Sequence, residues 1–117
     1  MNKYRNNRTQ VDGIEFDSAK ESRRYCELKL LQRAGVIKNL ELQVSYCLKV
    51  QGIHITKYDV DFQYIDARTG LLKFEDVKPT FKTEKARKAY HATAAYRMFA
   101  LKKKLMLACN NIEVIEI

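Results

Sequence analysis

The stretch YDVDFQYIDARTGLLKFEDVK, residues 58–78, decides how this chain is read. Aromatic and β-branched residues alternate with polar ones on either side of Ala67-Arg68-Thr69-Gly70, the pattern of a β-hairpin. With a loop from Ala67 to Gly70, Asp66 faces Leu71, and counting back along both strands sets Asp61 opposite Asp76. Directly paired strand residues hold their Cβ atoms about 4.5–5.5 Å apart, where like charges repel. A shared divalent cation resolves that conflict, since Mg²⁺ favours one or two carboxylates together with water and phosphate oxygens. Lys78, two residues beyond Asp76, projects from the same strand face. Asp59 shares the face of Asp61 and lies opposite Lys78 in this register, which makes an ion pair between them the competing use of the lysine.

Outward from the hairpin, Ile53 to Asp66 reads as one strand, with Tyr58, Val60, Phe62 and Tyr64 on its core face. Gln51-Gly52 turns the chain back into a second long strand over 36–50, whose apolar residues recur at every other position from Leu40 to Val50. Gln43 and Ser45 fall on the opposite face. Gln43 is a candidate to position water or phosphate, and an ordinary exposed strand residue is the other reading. Ahead of these strands a helix begins at Ser18 and closes at Gly35. Ser18-Ala19-Lys20-Glu21 fits a capping box, in which the glutamate folds back on the cap. Glu21 also shares a stripe with Tyr25, Leu28 and Gln32, a position that points towards the sheet rather than the cap. Both readings of Glu21 stay open. Residues 1–17 form a basic arm and a short extended entry with an Asp12-Gly13 turn, and residues 18–117 form one domain.

Downstream, Pro79 to Thr83 breaks the strand, and one helix is expected from Glu84, capped by Thr83, to Ala108. Its inner stripe is Tyr90, Ala94, Arg97/Met98, Leu101 and Leu105. His91 and His54 read as surface or packing histidines. Residues 112–117 make a final strand, and a helix between two strands implies a parallel neighbour. The order is α-β-β-β-α-β, an α/β domain with a mixed sheet.

At 117 residues the chain supports a single modest core. No apolar run approaches the roughly 18 residues of a membrane span, and the basic N-terminus lacks the apolar segment of a secretory signal. Cys26, Cys47 and Cys109 are odd in number and widely spaced, which argues against a disulfide framework and against a thiolate zinc site. They read as reduced thiols in a cytoplasmic compartment, two of them buried. The net charge of +8 is an electrostatic footprint suited to nucleic acid, or else a solubilising surface. Lys3, Arg5 and Arg8 in the arm, with Lys82, Lys85, Arg87 and Lys88 at the start of the long helix, are the candidate phosphate contacts. The sequence shows no aromatic cluster of the single-strand-binding kind.

Asp61 followed by Asp76-Val77-Lys78 resembles the PD-(D/E)XK nuclease superfamily. The resemblance is closest to small phage-encoded members. It extends over Lys3-Tyr4-Arg5-Asn6, Val11-Asp12-Gly13-Ile14, Phe16-Asp17-Ser18, Glu21, Tyr25-Cys26-Glu27-Leu28, Leu42-Gln43 and Asp61-Phe62. Pro79 departs from it, standing where a glycine is expected. The resemblance implies a restriction-endonuclease-like αβββαβ core and a metal-dependent endonuclease acting on DNA. Mg²⁺ or Mn²⁺ would be held by Asp61, Asp76, the carbonyl of Val77 and Glu21, with Lys78 assisting the attack. It further implies a structure-selective role in phage recombination or replication (junctions, flaps or single strands) in the host cytoplasm, with a homodimer as one expected state. The competing reading is a non-catalytic DNA-binding accessory factor on the same fold.

Overall fold

A computed structural model of the chain describes residues 8–117. Lys3 and Arg5 lie outside the described residues. The chain opens with a hairpin, β1 (Thr9–Val11) and β2 (Ile14–Phe16), turned by Asp12 and Gly13 with φ of 53° and 76°. Two consecutive left-handed residues suit the right-handed twist of the flanking strands, and Asp-Gly tolerates them. The hairpin packs on helix α1 (Ala19–Arg33): the Phe16 and Tyr25 rings lie 5.1 Å apart, and the Tyr25 hydroxyl donates to Asp12 at 2.9 Å. The folded layer therefore begins ahead of Ser18. Ser18 caps α1 by accepting from the Glu21 amide at 3.1 Å, and Gly35, at φ +80°, ends it.

Strands β3 (Ile37–Val50), β4 (Ile53–Asp66), β5 (Leu72–Asp76) and β6 (Val114–Glu116) form one sheet in that order. β3, β4 and β5 run antiparallel, and β6 joins β5 in parallel. The mixed sheet and the strand–helix order follow the expectation, and so does the hairpin register: Phe62 pairs with Glu75, and the Asp66 amide donates to Leu71 at 2.9 Å. One further step along that register sets Asp61 beside Asp76.

Three expectations change. First, the core residues of β4 do not share one layer. Tyr58 and Val60 pack with Phe99, Met106 and Val114, whereas Phe62 and Tyr64 pack with Phe16, Tyr25 and Leu28. The strand passes from one layer to the other at Asp61. Gln43, its counterpart on β3 between the Leu42–Phe62 and Val44–Val60 pairs, has a left-handed φ of 52°, an uncommon backbone conformation for a non-glycine strand residue.

Second, the long helix is two: α2 (Glu84–His91) and α3 (Ala94–Asn110). Thr93 leaves the helical region at ψ 152° and its hydroxyl accepts from the Tyr96 amide, so a new N-cap interrupts an alanine-rich run. The interruption resets the inner stripe to Tyr96, Phe99 and Met106. Met98 and Leu101, placed inside by the sequence, are about half exposed. Third, no cysteine is buried: Cys26 and Cys47 are exposed and Cys109 is partly covered.

Candidate active site

The end of β5, the start of α1 and the α2–α3 junction enclose a cleft of about 370 Å³. Asp17, Glu21, Asp61 and Asp76 line it with Lys20 and Lys78, four carboxylates against two ammonium groups. Asp76 is 5% exposed at the end of β5, where its carbonyl accepts from the Ile117 amide at 2.9 Å. The C-terminal strand thus fixes the backbone of the acidic residue. Asp61 comes from β4, at the point where the core residues of that strand pass from one cluster to the other. One of its oxygens accepts from the Val77 amide at 2.9 Å and the other from the Gln43 side chain at 3.0 Å.

The expected convergence of Asp61, Asp76 and Lys78 is present. Lys78 Nζ lies 3.0 Å from Asp76 and 3.8 Å from the centre of the Phe99 ring. Aliphatic length and a cation–π contact hold that amine against Asp76. Asp59 does not compete for it: Ser45 donates to Asp59 at 2.5 Å, and Lys57 lies 3.7 Å away. Glu21 resolves in favour of the sheet-facing reading. Its amide serves the cap while its carboxylate, 8% exposed, accepts from Gln43 Nε2 at 3.3 Å. Gln43 therefore bridges Glu21 and Asp61, a role within the range the sequence left open.

The electrostatics follow from burial. Desolvation, then a shared hydrogen bond and repulsion from Asp76, push the Asp61 carboxyl up to about 8, with the Val77 amide opposing. Desolvation, with Asp17 and Asp76 nearby, raises Glu21 as well, against Gln43 and Lys78. The Tyr58 hydroxyl is buried without a well-formed hydrogen bond, and its pKa is raised by desolvation and by Asp76. Ionising every acid here is therefore unfavourable without a further cation.

Among the described residues, no three His, Cys, Asp or Glu side chains close around a metal by themselves. The donor chemistry fits an ion that keeps much of its water: two adjoining carboxylates, a backbone carbonyl at Val77 and a surplus of negative charge. Mg²⁺ and Mn²⁺ are ions of that type, whereas Zn²⁺ sites are built from four side-chain ligands or three plus water.

Lys20 is a site residue that the sequence did not single out. Its ammonium donates to the Lys78 carbonyl at 2.6 Å, and to Thr80 Oγ1 and the Ile117 carbonyl at 2.9 Å each. This clamp, rather than a glycine, directs the chain out of the site through Pro79. Tyr90, which the sequence placed only on the inner stripe of a helix, also lines the cleft. The candidate phosphate contacts are mixed in character. Arg8 pairs with Glu15 at 2.8 Å, and Arg87 pairs with Glu84, while Lys82, Lys85 and Lys88 are exposed.

The fold and cleft define an α/β domain with a mixed four-stranded sheet and an adjoining acid pair, Asp61 and Asp76, with a lysine on Asp76. A family model described as "Protein of unknown function (DUF1064)" matches residues 1–111, and the chain belongs to that family. No curated protein and no solved structure matches it. No helix among the described residues is long and apolar enough to cross a membrane.

Proposed function

We propose that this protein is a divalent-metal-dependent deoxyribonuclease that hydrolyses phosphodiester bonds in the host cytoplasm during phage recombination or replication. The observation that carries the reading is the adjoining Asp61–Asp76 pair, Asp76 buried and Asp61 partly so, with Lys78 Nζ 3.0 Å from Asp76. Asp61, Asp76 and the Val77 carbonyl would hold Mg²⁺ or Mn²⁺. When bound, that ion supplies Lewis-acid activation of water and offsets charge at the phosphate. The chain's own residues do the positioning. Gln43 holds the Asp61 and Glu21 carboxylates, and Phe99 supports the Lys78 ammonium where it donates to a phosphate oxygen and to the charge developing on it. The net charge of +8, with Lys82, Lys85 and Lys88 exposed, supports DNA as the partner.

The test is cleavage of labelled single-strand, duplex, flap and four-way-junction DNA with Mg²⁺ or Mn²⁺. Asp76→Ala and Lys78→Ala should each slow cutting by roughly a hundredfold or more. Salt-sensitive binding with no cutting of any substrate replaces the reading with that of a DNA-binding accessory factor.

A further inference from the structure

We infer that the aromatic residues at the α2–α3 junction form a stacking platform for an unpaired nucleobase, so that the cleft takes single-stranded DNA in preference to duplex. The inference rests on the reading of the cleft as a DNA site and adds the substrate class. The Phe81 and Tyr90 rings lie 5.1 Å apart, and Tyr90 and Tyr96 lie 5.4 Å apart. His91 stacks on Tyr96 with centroids at 4.1 Å and planes 6° apart. The row continues through Tyr96 to Phe99, 5.6 Å away, whose ring carries the Lys78 ammonium. It therefore runs from the acid pair to the protein surface.

Packing explains part of this row, since the rings hold α2 against α3. It does not explain their setting. α2 buries none of its residues, and Phe81, Tyr90, His91 and Tyr96 all stay partly exposed. Tyr90 lines the same cleft as Asp61, Asp76 and Lys78. Lys85 and Lys88 are exposed on α2 itself. Partly exposed rings combined with lysines are the pairing that binds single strands, the rings taking base faces and the lysines taking phosphates. In a duplex those base faces are covered by their neighbours, so the rings can engage only an unpaired or extruded base.

The test is binding, read without divalent ions so that it stands apart from cutting. Fluorescence anisotropy with a labelled single strand and a duplex of the same length should show the single strand bound several-fold more tightly at equal salt. Tyr90→Ala should weaken single-strand binding by roughly tenfold or more, the loss expected for one stacked base, and duplex binding by less than about twofold. Lys85→Ala should weaken both alike. Wild-type protein irradiated with iodouracil-substituted single strand should crosslink within residues 81–96, which tests the site even if Tyr90→Ala fails to fold. Equal affinity for the two forms, equal losses in Tyr90→Ala, or crosslinks confined to other segments would overturn the inference. Single-strand preference that Tyr90→Ala abolishes, in a protein that cuts nothing with Mg²⁺ or Mn²⁺, would instead sink the nuclease reading and leave this one standing.

Discussion

Glu75 and Asp76 are consecutive residues of β5, 1% and 5% exposed, yet their surroundings are opposite in kind. Glu75 faces α1. Arg24 grips it with two hydrogen bonds, at 2.8 and 2.6 Å, and the Tyr64 hydroxyl donates to it at 2.5 Å. That carboxylate raises the Arg24 guanidinium, and burial followed by the same carboxylate pushes the Tyr64 hydroxyl up to about 12. Asp76 faces the cleft, where the partly buried Asp61 adjoins it and one lysine, Lys78, pairs with Asp76 alone. A buried acid whose hydrogen bonds are all supplied by the protein is a structural joint. A buried acid left short of positive charge is arranged for something that arrives later.

The contrast is most open to attack at Arg24. Arg24→Ala leaves Glu75 buried without its cation, a change that costs about 3–5 kcal/mol in comparable pairs. Urea unfolding should show a loss of that size, because the joint ties α1 to β5 and so sets Glu21 relative to Asp76. A loss below about 1 kcal/mol, the range of exposed ion pairs, would erase the distinction between the two acids.

Asp61 tests the other half. Its folded pKa stands at about 8 against an ordinary 3.8, so between those values the folded protein binds more protons than the unfolded chain. Stability then falls as pH rises, fully retained below the ordinary value and lost through the folded one. The ion-free protein should melt higher near pH 5 than near pH 8. Asp61→Asn should flatten that dependence and stabilise the protein at the higher pH by on the order of 1–3 kcal/mol. A wild-type melting temperature that climbs across this interval would show that the cleft is already neutralised.

The two acids also differ in how far they were legible. The Asp61–Asp76 register could be counted from residues 58–78 once the loop is set at Ala67 to Gly70, and the Asp61-Phe62 resemblance, not the alternation, selects Asp61 over Asp59 on the same face. The joint at Glu75 could not, since Arg24 lies 51 residues away and nothing in a helix of mixed charge marks it. The backbone conformation at Gln43 was hidden for a different reason: glutamine is not a residue that signals a left-handed backbone. Helix propensity concealed the break at Thr93, where flanking alanines favour continuation and only the threonine hints at a cap. The aromatic row depends on that break. Phe81, Tyr90 and Tyr96 are scattered in the sequence, and a continuous helix would not turn them towards one another.

Gln43 gives the finest discrimination, because two effects of opposite sign meet there. A non-glycine residue in the left-handed region carries a cost of about 1–2 kcal/mol, which glycine avoids. Glycine also loses the two hydrogen bonds to Glu21 and Asp61, each worth about 1.5–3 kcal/mol where the acceptor is charged. Relief of strain offsets only part of that loss, so Gln43→Gly should lower the unfolding free energy by on the order of 1–4 kcal/mol. Gln43→Val loses the same bonds and keeps the strain, with a β-branched side chain that tolerates it poorly. It should be less stable than the glycine variant by about 1–2 kcal/mol. Matching stabilities for the two variants would mean that the left-handed backbone costs nothing at this position. Asp61 would then owe its place between the two layers to the pairing of its own strand, and the link from Glu21 to the acid pair would lie in the Gln43 side chain alone.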